Sequence, residues 1–284
     1  KSAERAIKEN DFETFQRLNA VIKGNIAVLK IKKGDYANAI PLLEEDASVG
    51  LKNNDDFNGT IKSLLLLTEC NARIGNFPDA EKNIAQIERL INVEINPEII
   101  VSYYKTKAEL SKKIGKNEEA FQLQGKALNE SPEDNDLAYD QAMLAEKTGR
   151  LDVMEKLLRQ VIARQPDYHH AYNALGYSLA DRGVRLNEAK QLIQKALDLA
   201  PGDPFITDSL AWAEFRLGNK AQAQQLLQSA FSKKPDAEIA AHLGEVFWSQ
   251  GNTEKAKAIW KEGLRLNPDN QTLKETLKRL GVSF

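Results

Sequence analysis

The chain has 284 residues, enough for one or two ordinary domains or for one extended array. Apolar residues make up 42% and charged residues 28%, and the net charge of −2 calls for neither nucleic acid nor an anionic membrane as partner. No apolar run approaches the roughly 20 residues of a spanning helix, so membrane insertion is not expected. The one cysteine, Cys70, excludes an intramolecular disulfide and a cysteine zinc site, and reads as a small buried apolar residue.

Glycines punctuate the chain at Gly34, Gly75, Gly115, Gly149, Gly183, Gly218 and Gly251, spaced 41, 40, 34, 34, 35 and 33 residues apart. A near-fixed period of this size marks a stack of helix pairs, an A helix and a B helix, each pair turning at its glycine. In chain order, residues 2–9 read as the end of a preceding helix B or as an extension of a first long helix. Residues 1–100 carry long repeats of about 40 residues. Gly34-Asp35-Tyr36 with Ala39, and Gly75-Asn76-Phe77 with Ala80, give the turn and the start of helix B there, but no closing proline follows. Residues 101–268 carry regular repeats of 33–35 residues. Ala108, Ala120, Ala127 and Pro132 are spaced 12, 7 and 5, and the same spacing returns in Ala142, Met154, Val161, Pro166 and in Ala211, Ala223, Ala230, Pro235. Gly176, Ala189, Ala196 and Pro201 repeat it with one residue inserted in the turn. Small side chains are expected where A and B cross at 8–10 Å, and the proline ends helix B. Residues 269–284 hold a last helix whose Leu273, Leu277 and Leu280 form one apolar stripe, a cap for the open end of the stack.

The stretch Tyr172-x2-Leu175-Gly176-x2-Leu179, followed by Ala189-x3-Ile193, Ala196 and Pro201, resembles the tetratricopeptide repeat family. The resemblance implies an all-α fold, a right-handed superhelical solenoid of about seven antiparallel helix pairs with a C-terminal capping helix. The C-terminal half resembles proteobacterial cell-envelope members. The N-terminal half, richer in Ile and Asn, resembles longer bacterial regulatory repeats. A natural protein with two repeat subtypes and a fusion of two segments with no natural ligand both stay open. Because the chain opens on Lys1 rather than Met, it is read as processed or trimmed, and bacterial cytoplasm and periplasm are both open as compartments.

No phosphate-cradling G-x-x-x-x-G-K, no G-x-S-x-G and no H-E-x-x-H motif occurs, so no enzyme, metal or cofactor is expected. His169, His170 and His242 read as solvated polar residues. Trp260, four residues after Ala256 on a B helix, reads as core.

In such a solenoid the A helices line the concave face. Counting Ala142, Gly176, Ala211 and Gly244 as position 8, positions 2, 5, 9 and 12 share one stripe. That stripe gives a candidate peptide-binding set: Tyr139, Met143, His170, Asn173, Tyr177, Phe205, Asp208, Trp212, Phe215 and Trp248. The core between A and B helices is filled separately, by Leu175, Leu179, Leu210, Leu243 and Phe247. The aromatics are therefore free either to anchor a peptide or to pack on neighbouring A helices. The Lys/Asn pair with which some family members clamp acidic chaperone tails is missing, and Lys105, Lys112 and Lys113 around Glu109 form a mixed patch. The expected role is a scaffold holding a protein or peptide ligand, or a module that responds to a peptide signal.

Overall fold

The computed structural model describes residues 2–53, 56–91 and 95–284, with the side chains of 2–11, 13 and 53 outside that description. Among the described residues there are 15 helices and no strand. The chain divides into two compact units, Lys1–Met154 and Glu155–Phe284. This division follows packing, whereas the sequence division near residue 100 follows repeat length.

The first unit holds α1 (Ser2–Lys32) and α2 (Tyr36–Asn53), α3 (Phe57–Arg73) and α4 (Phe77–Leu90), α5 (Pro97–Lys113) and α6 (Asn117–Glu130), then α7 (Asn135–Lys147). Helix α8 (Leu151–Arg164) spans the boundary. The second unit holds α9 (His169–Asp181) and α10 (Leu186–Leu199), α11 (Pro204–Arg216) and α12 (Lys220–Lys233), α13 (Ala237–Ser249) and α14 (Thr253–Leu266), and the terminal α15 (Gln271–Leu280). Residues 2–9 extend α1. The early helices are longer, 31, 18 and 17 residues in α1 to α3 against 13 or 14 in α7 to α14, which explains the stretched period.

Local chemistry sets the boundaries. Five A helices start on a side-chain cap, Asp56, Asn96, Asp134, Asp203 or Asp236, whose oxygen accepts from a backbone N–H of the first turn. The seven turning glycines all lie at positive φ, between 68° and 91°. A side chain there would be strained, and this is why the period is written in glycine. The inserted residue in the fifth turn leaves Arg185 at φ 47°, the one non-glycine with positive φ among the described residues. Arg185 is held there by Glu155, whose carboxyl is brought down to about 2, first by the Arg185 hydrogen bonds and further by Arg159, against a smaller desolvation penalty.

The small residues mark the crossings. A methyl group on Gly176 would sit 2.6 Å from Ile193 Cγ1 and 2.9 Å from the Ala189 carbonyl, and one on Gly244 would collide with the Trp260 indole. Trp260 is fully buried, its indole N–H donating to the Ala241 carbonyl at 3.1 Å, and Cys70 is buried as well. Leu273 and Leu277 of α15 are buried beside α13 and α14, which closes the end of the second unit. Ala223 is fully buried in the same cluster. Ala223→Leu is therefore expected to cost about 1–3 kcal/mol by overpacking, while Ala221→Leu, on an exposed neighbour, stays near neutral. Paired thermal melts of the two variants check this, and equal midpoints would overturn the register.

Candidate functional site

Each unit presents a face built from its A helices. In the first unit α3, α5 and α7 line a cavity of about 320 Å³. Arg73, Lys105, Lys112, Lys113 and Lys147 line it with Glu69, Glu109 and Asp140, five cations against three carboxylates. Arg73 pairs with Glu69 at 3.7 Å and Lys112 with Glu109 at 2.5 Å. Desolvation raises the Asp140 carboxyl above its ordinary range, and Lys112 and Lys105 pull it back. Met143 lines this cavity, and Tyr139, one turn earlier on α7, is half-buried.

In the second unit the corresponding face of α9, α11 and α13 is filled by a polar and aromatic cluster. The His242 ring is 1% exposed, and its Nδ1 lies 2.9 and 3.0 Å from the two Asp208 carboxylate oxygens. Trp212 stacks on His242 with ring centroids 4.3 Å apart and donates its indole N–H to Asp181 at 3.2 Å. Phe215 leans on Trp212 with centroids at 5.3 Å. The Tyr177 hydroxyl comes to 3.5 Å of His242 Nε2. Glu245 is buried and accepts from Arg279 at 2.6 Å.

His242 is therefore not the solvated residue its sequence context suggests. It lies at position 6 of α13, on the side of the helix that meets α11, where Asp208 waits at position 5. Burial alone would lower its pKa. The charge and hydrogen bond of Asp208, then Glu238 and Glu245, outweigh that, so the imidazole is held above its ordinary value. Glu238 is raised by desolvation, against the opposing pull of His242. A raised imidazole value stabilises the fold fully below pH about 6.5 and loses that contribution as pH climbs through the folded-state value. The unfolding midpoint is expected to fall between pH 6 and pH 9 on this account. Melts of the parent chain and of His242→Gln across that range check it, and parallel pH profiles would remove His242 as the source.

The candidate residues separate into distinct environments. Trp212 and Asp208 are each 5% exposed and pack between A helices. Tyr177, Phe215, Asn173 and Trp248 are half-buried, His170 is exposed, and Phe205 is 41% exposed with Lys234 over its ring. The Oδ1 of Asn173 is buried and has no hydrogen-bond partner among the described residues. His242 and Asp181 belong to the cluster but not to the sequence-derived stripe. The legible signal was an aspartate and a histidine one repeat apart, at adjacent positions. Among the described residues no group of three or more His, Cys, Asp or Glu is placed to hold a metal ion, and no helix is long and apolar enough to cross a membrane.

A family model described as tetratricopeptide repeat matches residues 139–204 and 209–270. A TPR repeat-containing protein of Pseudomonas aeruginosa is 41% identical over 256 residues, covering 90% of this chain and 41% of the relative. Human protein O-mannosyl-transferase TMTC1 is 28% identical over 174 residues, 58% of this chain and 19% of that protein. The chain thus spans about two fifths of the length of the bacterial relative and less of the human one. Among solved structures, a tetratricopeptide repeat protein from Parabacteroides merdae superposes with a TM-score of 0.73 at 18% identity, covering 92% of this chain and 98% of the other. A thermophilic TPR protein from Thermus thermophilus gives 0.57 at 21% identity, covering 64% and 100%. These two support the fold alone. The Pseudomonas relative runs through both repeat subtypes, so a fusion of two unrelated segments loses its basis.

Proposed function

Because the chain belongs to the tetratricopeptide repeat family, we propose that it is a non-catalytic protein-interaction scaffold that holds an extended peptide on the A-helix face of its second unit. The observation that supports this is the layering of that face. Trp212, His242 and Asp208 form a packed floor, fixed by stacking and by a buried ion pair. On the same A helices Phe205 is exposed and Tyr177, Phe215 and Trp248 are half-buried. The core between A and B helices is complete without them, since Leu175, Leu179, Leu210, Leu243 and Phe247 are buried. Aromatic edges on a rigid floor lose little side-chain entropy on binding, which favours them as anchors. Met143 and Tyr139 stand on the first unit and would serve a contact of their own there.

Peptides selected from a random display library on the intact chain test this. Phe205→Ala is expected to weaken the selected peptides about tenfold, roughly 1.4 kcal/mol, with little change in melting temperature because the ring is exposed. Peptides that bind parent and variant equally would place the ligand elsewhere.

A further inference from the structure

The cavity of about 320 Å³ in the first unit lies between α3, α5 and α7 and shares no residue with the second-unit face. Its cations recur with the repeat. Arg73, Lys113 and Lys147 each stand two residues before a turning glycine, Gly75, Gly115 and Gly149. The helix dipole favours a cation in the last turn wherever that turn points. Here three in succession line one cavity, and Lys105, about two turns earlier on α5, joins them. In the second unit the same position holds Asp181, Arg216 and Ser249, and Arg216 is engaged by the Asp181 carbonyl, so no such row forms there.

The carboxylates of the lining do not neutralise this set. Glu69 faces Arg73 at 3.7 Å and Glu109 holds Lys112 at 2.5 Å, each within its own helix. Asp140 alone is left for Lys105, Lys113 and Lys147, none of which forms an ion pair among the described residues. Lys105 acts on Asp140 only through space. Positive charge is therefore in surplus, and desolvation, which holds the Asp140 carboxyl above its ordinary range, strengthens any charge pair formed there.

We infer that this cavity is a further binding site, for an extended acidic segment of a partner protein with a carboxylate at every third residue. Spacing argues for that ligand. Neighbouring helices pack about 8–10 Å apart. An extended peptide of three residues per turn brings every third side chain to one side at intervals of about 9 Å. Over about seven residues, one carboxylate meets one cation on each of α3, α5 and α7. A single small anion cannot span the three helices, and a helical ligand about 10 Å across is too wide for the cavity. Ala72, Ala108 and Met143 also line it and give small intervening residues an apolar surface. Nothing in the row calls for a free C-terminus, so an internal segment qualifies.

Isothermal titration calorimetry on the intact chain tests the proposal. The probe is an acetylated and amidated peptide of about seven residues, with Glu at the first, fourth and seventh places and Ser and Ala between. Saturable binding that weakens as salt is raised is expected. A peptide of the same composition with its three Glu adjacent is expected to bind about threefold more weakly, because it cannot reach all three helices. Lys113→Glu and Lys147→Glu should each cost about tenfold in affinity, since repulsion replaces attraction. Lys147→Arg keeps the charge and the affinity. Lys82→Glu, on an exposed residue of α4 outside the lining, makes the same change in net charge and leaves binding intact. Melting temperatures of all variants report that they remain folded. No saturation by roughly 1 mM peptide overturns the proposal. So does equal binding of the peptide with adjacent Glu, or a loss in Lys82→Glu as large as in Lys147→Glu. Tighter binding of a linear inorganic polyphosphate of equal charge would assign the cavity to a polyanion instead, and displacement by the display-selected peptides would merge it with the second-unit site; either result overturns the proposal.

Discussion

Replacing His242 by alanine is expected to destabilise residues 155–284 by about 3–5 kcal/mol at neutral pH, the range seen when one partner of a buried pair is removed. The imidazole is 1% exposed and Asp208 is 5% exposed, so the carboxylate cannot turn to water when its partner is lost. Glu238 and Glu245 face the same site, and without the imidazolium their charges add to the strain on Asp208. The lost ring also leaves a gap beneath the Trp212 indole, which stacks on it at 4.3 Å. Asp208→Asn separates the contributions. It removes the charge but keeps the shape and an oxygen facing His242, so it is expected to cost less. Denaturant titrations of parent, His242→Ala, Asp208→Asn and the double variant close a cycle, and the two sites should be strongly non-additive because they share one contact. Additive losses would mean that the pair does not act as a unit.

The repeat punctuation was legible because each signal answers to a constraint inside one hairpin. Gly218 needs positive φ at its turn, Gly176 needs the absence of a Cβ against Ile193, and Asp203 caps its own helix. None of these depends on a distant residue, so counting along the chain finds them. The Asp208–His242 pair depends on how α11 and α13 lie against each other, and a stripe drawn on one helix at a time cannot contain it. That stripe sorted Asp208 and Trp212 with Phe205 because all four positions, 2, 5, 9 and 12, share a face of α11. The structure separates them by depth. Positions 5 and 9 sink between neighbouring A helices, while position 2 stays at the surface, as 5% exposure for Asp208 and Trp212 against 41% for Phe205 records.

Depth also decides the outcome for Trp212→Ala. An indole 5% exposed, stacked on His242 and bonded to Asp181, is part of the wall between A helices, and truncating a buried tryptophan costs about 3–5 kcal/mol. The melting temperature should fall by roughly 2–4 °C for each kcal/mol lost in a unit or chain of this size. The effect on peptide affinity follows from the layering. If the peptide sits on Phe205, Tyr177 and Phe215, Trp212 acts only as their support. Its removal then weakens binding through the displaced Phe215 ring, which rests on it at 5.3 Å. Trp212→Phe keeps an aromatic plane under His242 and Phe215 while deleting the indole N–H to Asp181, and is expected to recover most of the affinity and part of the stability. Melting temperature and affinity for the display-selected peptides, measured on both variants, distinguish the roles. A large loss of affinity in Trp212→Ala with an unchanged melting temperature would mean that the indole meets the peptide directly, and that the face is more open than a packed floor allows.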